Sequence, residues 1–266
     1  MKVAAINDLS GFGKCSLVAD IAVLSSMGIE VNPVPTAVLT AQTGFSSYYL
    51  HDMDDMVKRC NVEWKKSGEG FDGIITGYIP SLNLADQILD FTDSFKKENT
   101  LLLVDPVMGD NGKCYSNFSE GMLEKIKELT MKADIITPNL TELCLLTGTE
   151  FSKFSIEEII SIAKSVKAHD LQSVVVTGIL ENTNTVCNVV IHKDDATVLR
   201  SSTNGRSYSG TGDLFAASLM GNLLNGKCIT DAVSKAADFI SRAISKTDSA
   251  DRNYGIDFEK ILKTEE

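Results

Sequence analysis

Short, wholly apolar runs alternate along this chain with segments whose apolar residues recur every three to four positions, the mark of buried strands interleaved with amphipathic helices. Residues 3–6 read as a buried strand entering a glycine turn over residues 7–13. Leu17, Ile21, Val23, Leu24 and Met27 then fall at helical spacing from about Ser16, and Gly28 stops that helix. Residues 29–38 form a second extended segment, where Pro33 and Pro35 favour an edge or irregular position because neither can donate to a sheet ladder. Residues 40–49 are polar and aromatic, suited to line a pocket, and a helix is expected over 53–64.

Strands are predicted next at residues 73–76, 101–104, 133–137 and 173–177, with helices at 82–95, 122–129, 140–146 and 156–169. The β-branched run at 173–177 has the composition of a central parallel strand. Residues 185–192 and 197–201 flank Lys193-Asp194-Asp195 as a hairpin, and three helices at 214–224, 229–244 and 258–262 close the pattern. The alternation predicts an α/β fold, with helices on both faces of a largely parallel central sheet. No repeat, linker or low-complexity tract divides residues 1–266, so one domain is expected.

Composition narrows the function classes. The chain is 43% hydrophobic, which supports one substantial core, and its 36 acidic against 25 basic residues give a net charge of -11. Such a surface repels phosphate backbones and argues against nucleic-acid binding, while leaving room for a small anion held by local donors. Cys15, Cys60, Cys114, Cys144, Cys187 and Cys228 lie 30 or more residues apart, without dithiol or metal-ligand spacing. The apolar stretch at residues 1–6 is too short for a signal peptide, and charges interrupt any membrane span, so a cytoplasmic protein without membrane partners is expected.

Polar residues gather where the predicted strands end: Asn7-Asp8, Thr76-Gly77-Tyr78, Asp105-Pro106, Thr137-Pro138-Asn139 with Glu142, and Thr177-Gly178. In an open parallel sheet those ends converge on a ligand crevice. Each group also suits a turn or a cap. Asn139 with Glu142 reads either as a capping box, worth about 1 kcal/mol, or as oxygen ligands around hydrated Mg²⁺. Gly210-Thr211-Gly212-Asp213 is sharper. Two glycines permit close backbone approach before an apolar helix, so the turn can aim amides at an anion while Asp213 accepts a proton from a hydroxyl. A plain helix cap is the alternative.

Gly11-Phe12-Gly13-Lys14-Cys15-Ser16 matches neither the dinucleotide fingerprint nor a P-loop, and the 109–114 segment fails in the same way. HExxH, CxxC and GxSxG do not occur, and three histidines, His51, His169 and His192, leave little for a histidine-based site.

The segments Asp105-Pro106-Val107-Met108-Gly109-Asp110, Thr137-Pro138-Asn139 with Glu142, and Gly210-Thr211-Gly212-Asp213 together resemble the ribokinase-like superfamily, and within it the pyridoxal/pyridoxine/pyridoxamine kinases. The resemblance runs from Ile6 into the helix after Asp213, and the stretch from Asp105 to Lys113 with Tyr115 carries the vitamin B6 branch. It implies a ribokinase-like three-layer α/β/α sandwich, a homodimer, and Mg²⁺-assisted transfer from ATP to the 5′-hydroxyl of a vitamin B6 vitamer, with K⁺ or Na⁺ as a further ion. By position, Asp213 is implied as the base, and Gly210, Thr211 and Gly212 as the anion hole. Asp105 and Glu142 are implied around the metal, directly or through water, with Asn139, Glu142, Thr177 and Gly178 near the nucleotide. Asp8, Ser10, Gln42, Thr43, Tyr78, Asp110 and Tyr115 are implied around the vitamin, the last two on a covering loop.

The chain departs from that pattern at its start. Asn7-Asp8-Leu9-Ser10 stands where the longer-studied members carry a Ser-His turn. With Ala19-Asp20 and Thr40-Ala41-Gln42-Thr43, this region resembles the hydroxymethylpyrimidine kinases, which usually carry Cys where this chain has Asp213. Three readings stay open on sequence: a B6 kinase, a kinase of hydroxymethylpyrimidine or another small alcohol, and a nucleotide-binding protein without catalysis. Asp8 is open too, as a ring contact or a turn carboxylate.

Overall fold

A strand covered on both faces must be apolar at successive positions, because alternate side chains point opposite ways. The computed structural model, which describes residues 1–115 and 118–262, is built on strands of that kind. The chain begins with β1 (Lys2–Ser10), α1 (Ser16–Ser26), β2 (Glu30–Leu39), β3 (Leu50–Asp52) and α2 (Met56–Lys66). It continues through β4 (Gly73–Thr76), α3 (Leu82–Phe95), β5 (Leu101–Val104) and a small hairpin of β6 (Gly109–Asp110) and β7 (Lys113–Cys114). Next come α4 (Glu120–Lys132), β8 (Ile135–Ile136), α5 (Leu140–Thr147), α6 (Ile156–Ser165), β9 (Ser173–Asn182), β10 (Thr185–His192) and β11 (Asp195–Ser202). The last helices are α7 (Thr211–Leu224), α8 (Ile229–Ser245) and α9 (Glu259–Leu262).

Nine strands form one sheet in the order β11-β10-β9-β8-β5-β4-β1-β2-β3. From β9 to β2 neighbouring strands run parallel, while β10, β11 and β3 are antiparallel additions at the margins. Alternate residues feed two cores. Ala4, Ile6, Ile74, Leu102 and Val104 pack with α2 to α6, whereas Val3, Ala5, Ile75 and Leu103 pack with α1, α7 and α8. The expected three-layer α/β/α sandwich with a largely parallel sheet is therefore the observed architecture. No helix among the described residues is long and apolar enough to cross a membrane, and all six cysteines are free thiols.

Three local differences bear on the cleft. β1 does not stop at Ile6: pairing with β2 carries it past a bulge between Asn7 and Leu9 to Ser10, so the turn starts at Gly11. The 173–177 segment is not central, since β9 is parallel to β8 but antiparallel to β10, and it runs on to Asn182. It crosses Gly178 at φ 68°, where the β10 register shifts around Asn188. The β6–β7 hairpin has no apolar alternation to announce it. Pro33 and Pro35 fit as expected, because β3 covers only residues 37–39 of β2.

Phe71, Phe91 and Phe95 stack with Trp64 beneath α2 and α3, and the Phe91 and Phe95 rings lie 4.6 Å apart. Truncating a fully buried aromatic loses its transfer free energy and leaves a cavity. Phe91→Ala is expected to cost about 3–5 kcal/mol, read as a lower urea midpoint at unchanged m-value.

Candidate active site

Parallel register brings five strand ends level. Ile6 pairs with Thr76, Thr76 with Val104, Val104 with Ile136 and Ile136 with Val174, and a further bridge joins Asn139 to Thr177. The residues just beyond these pairs are the polar groups noted in the sequence. The start of α7 meets them from above. Gly210 caps that helix in the left-handed region at φ 79°, and a Cβ there would come within 2.6 Å of the Lys14 carbonyl oxygen. Only glycine permits both the angle and the approach. Gly210 supplies no side-chain cap to α7, so the positive end of the helix is open to an anion, while the Asp213 amide bonds its own carboxylate. Thr211 anchors the turn by donating its hydroxyl to the Tyr208 carbonyl at 3.1 Å.

Asp213 lies in the first turn of α7, half-buried at the cleft wall. Its Oδ1 accepts from the Asn7 Nδ2 at 3.1 Å. Asn7 is itself pinned: its Oδ1 accepts from the Tyr78 and Asp8 amides at 2.9 and 3.0 Å, and its Nδ2 also donates to Asp20 at 3.2 Å. Gly77 must be glycine beside it, since a Cβ would overlap the Asn7 amide. Asp105 extends from β5 and accepts from the Thr137 hydroxyl at 3.0 Å through Oδ1. Its Oδ2 faces the turn, 3.6 Å from where a Gly212 Cβ would stand.

Carboxylates crowd this edge, and among the described residues no ion pair to Asp8, Asp20, Asp105, Glu142 or Asp213 is found. Burial pushes the Asp213 carboxyl up to about 6, and Asp8 adds to the rise while hydrogen bonds from Ser16 and Asn7 oppose it. Asp105 is pushed up to about 7, first by burial and then by Asp213. Asp20 and Glu142 are raised well above the carboxylate range, again by burial first. The nearby Lys14 is engaged elsewhere, with its Nζ 2.7 Å from Asp257 and 3.0 Å from Glu259.

Glu142 is 4% exposed and completes a capping box with Asn139, so the capping alternative is realised. Its oxygens also reach the adjoining loop, with Oε1 accepting from the Met108 amide at 3.2 Å and Oε2 from the Asn139 amide at 2.8 Å. Asn139 Nδ2 donates to the Gly109 carbonyl at 2.8 Å. The capping pair therefore also ties the start of α5 to the loop after β5. Among the described residues no group of three or more His, Cys, Asp or Glu side chains is arranged as a closed metal site. The free Asp105 oxygen facing the anion turn instead fits a hydrated divalent ion that takes further oxygens from phosphate.

The remaining predicted residues divide. Tyr78 and Tyr115 line one narrow apolar cleft with Met108. Gln42 ties the 40–49 segment to the anion turn, donating from Nε2 to Ser209 Oγ and to the Asn253 carbonyl, both at 3.2 Å. Asp8 is buried and accepts from the Ser10 hydroxyl at 2.7 Å, an arrangement matching the turn-carboxylate alternative. Asp110 is engaged by its own loop, accepting from the Asn111 amide at 2.8 Å. Thr43 is exposed, and Thr177 and Gly178 sit further along the sheet edge, where the Gly178 amide donates to Asn188 Oδ1 at 3.1 Å. Sequence reasoning did not single out Asn7, Thr137 or Asn188 as site residues, and it used Asp20 only as a mark of resemblance. For Asp20 a physical signal existed: a carboxylate on the apolar face of α1, among Leu17, Ala19, Val23 and Leu24.

Comparison with known proteins places the chain among small-molecule kinases. The phosphomethylpyrimidine kinase family model matches residues 13–256. A pyridoxine/pyridoxal/pyridoxamine kinase of Bordetella avium is 31% identical over 184 residues, which are 67% of this chain and 61% of that protein. A provisionally named phosphomethylpyrimidine kinase from Bacteroides thetaiotaomicron, solved with pyridoxal, is 34% identical with a TM-score of 0.90, covering 98% of this chain and 94% of that one. The pyridoxal kinase of Lactobacillus plantarum is 25% identical, also with a TM-score of 0.90, covering 98% and 95% respectively.

The raised carboxyls predict an unusual pH dependence of stability. Asp105 keeps its proton to about pH 7 when folded but loses it near its ordinary 3.8 when unfolded. The folded state thus binds the proton more tightly across that window, and stability falls as pH rises through it. Asp105→Asn is expected to flatten this fall and to raise the melting temperature more at pH 7.5 than at pH 4.5, measured by thermal denaturation without nucleotide or divalent ion.

Proposed function

The chain belongs to the phosphomethylpyrimidine kinase family, as a pyridoxal-kinase-like member of the ribokinase-like superfamily, and on that premise we propose that it transfers the terminal phosphoryl group of ATP to the 5′-hydroxyl of pyridoxal, pyridoxine or pyridoxamine. The observation that carries the reading is the placement of Asp213. A carboxyl with a pKa of about 6 stands three residues after a left-handed glycine, in the first turn of an uncapped helix. Base and anion site are therefore parts of one turn. The pyridoxal of the Bacteroides structure and the name of the Bordetella relative support the vitamin as acceptor. Tyr78 and Tyr115 border one cleft that is closed to about 10 Å³, so a flat ring stacking on them would require these side chains to part.

In this reading the alcohol oxygen attacks the γ-phosphorus, its proton passes to Asp213, and the bond to the β-phosphate oxygen breaks to release ADP. At neutral pH Asp213 is largely ionised and ready to accept that proton. Negative charge on the three equatorial oxygens of the transferring group would meet the backbone amides of Gly210, Thr211 and Gly212 at the helix start. Asn139, Thr177 and Gly178 lie along the edge where the rest of the nucleotide would extend. Asp105, with Glu142 acting through water, would hold Mg²⁺, which neutralises phosphate charge when bound. The family resemblance carries with it a homodimer acting in the cytoplasm, with K⁺ or Na⁺ as a further ion. The family description favours one second acceptor, a hydroxymethylpyrimidine.

Initial rates of ADP formation with ATP-Mg²⁺ and a panel of the three vitamers and hydroxymethylpyrimidine test the assignment. A vitamer is expected to give the highest kcat/KM; preference for the pyrimidine would reverse it. Asp213→Asn is expected to lower kcat by about 10²–10⁴-fold with ATP binding retained, and near-normal turnover would remove Asp213 from its role. For the unsubstituted enzyme, kcat/KM is expected to fall below about pH 6 as Asp213 takes up a proton.

A further inference from the structure

Asp20 stands apart from every role described so far. It projects from α1 into the core that holds Leu17, Val23 and Leu24, is 1% exposed, and carries an Oδ1 that no described group bonds. Its one hydrogen bond is the 3.2 Å contact from Asn7 Nδ2 to Oδ2. A buried carboxyl with an unpartnered oxygen costs folding free energy, and an apolar residue would suit this face of α1. A residue that breaks the local pattern without a structural return is where a functional constraint is expected.

We propose that Asp20 is a positioning residue for phosphoryl transfer, setting the place of the Asp213 carboxylate through the Asn7 amide. The proposal rests on the kinase reading above. Asn7 transmits the constraint because its orientation admits no choice. The amides of Asp8 and Tyr78 take both acceptor sites of Oδ1, which leaves the two Nδ2 hydrogens for Asp20 and Asp213. Rotating the amide by half a turn would set its oxygen against two carboxyls and its NH₂ against two amide hydrogens. Gly77 closes the space on the remaining side. Asp20 thus fills the second donor position, so that the first stays directed at Asp213. Without Asp20 the Asn7 NH₂ keeps one buried hydrogen unpaired, and the amide gains by tilting or by admitting water. A general base needs sub-ångström placement, and about 1 Å of displacement can cost on the order of 10²-fold in rate.

A double-mutant cycle on kcat, with ATP-Mg²⁺ and the best alcohol, separates this role from simple packing. Asp20→Ala is expected to lower kcat by about tenfold or more while the KM for ATP stays within about twofold. Asp20→Asn, which keeps an acceptor oxygen for Asn7, should recover most of that loss. In an Asn7→Ala background, Asp20→Ala should cost little further, because the route to Asp213 is already cut. Equal losses in both backgrounds, or an unchanged kcat in Asp20→Ala, would overturn the proposal. Asp20→Leu, which fills the position without an acceptor, serves as the second variant if Asp20→Ala does not fold. Failure of both to fold, judged by near-UV circular dichroism, would make Asp20 a structural residue and overturn the proposal as well. Absence of alcohol-dependent ADP formation by the unsubstituted protein would instead overturn the kinase reading on which it rests.

Discussion

The contact between Gly210 and the Lys14–Cys15 backbone decides where the chemistry can be. It seats the first turn of α7 against the loop that follows β1, and the left-handed angle at Gly210 turns the helix start toward the strand ends. Three consequences follow from that one approach. The uncapped amides of the turn face the cleft, Gly212 comes beside Asp105, and Asp213 comes within hydrogen-bond reach of Asn7. Asp213 and Asn7 are separated by 206 positions in sequence, so their contact exists only when both the sheet and the α7 seat are formed.

The same arrangement collects charge that the fold itself does not neutralise. Asp8, Asp20, Asp105, Asp213 and Glu142 all have raised carboxyls, each with burial as the leading cause. A protein selected for stability alone would place apolar groups or paired charges there. The pattern becomes economical when a bound cation and its phosphates are counted as part of the folded state, because anything that binds only that state stabilises it by mass action. On the proposed reading the raised carboxyl of Asp213 is also the useful one, since a base is most effective when its pKa lies near the working pH.

Much of this architecture was legible in the sequence, and what was not follows from the kind of information periodicity carries. Strand and helix positions from Gly73 to Val104 appear as expected because their apolar spacing is set by local burial. The excess length of β1 and β9 was invisible, because it depends on pairing with β2 and β10 across a bulge. The β6–β7 hairpin was missed because two-residue strands have no period to detect. At the site, the glycine turn and the strand-end carboxylates were readable from their residue types. Asn7 was visible only as a polar strand end, since its four hydrogen-bonding partners come from β1, α1, the β4 end and α7. Of the two readings open for Asn139 with Glu142, the structure shows the cap, and the capping carboxylate also holds the Met108 amide.

Transfer and acceptor recognition rest on different parts of the fold. The anion turn, Asp213 and Asp105 are fixed by α7 and the sheet centre, where both packing and register constrain them. On the proposed reading, the ring side is built from Tyr78 after β4 and from Tyr115 beyond the β6–β7 hairpin. That hairpin is attached to α5 by the hydrogen bond from the Gly112 amide to Thr141, at 2.9 Å, and Phe151 packs against Gly112 where any side chain would collide. In the same reading, changes in the β6–β7 hairpin can alter the acceptor side without touching Asn7, whereas changes at Gly210, Gly77 or the Asp8 and Tyr78 amides would disturb the Asn7–Asp213 contact. Chains sharing one transfer geometry could then differ in the alcohol they receive, and the matched family's description and the Lactobacillus relative's name differ in that respect.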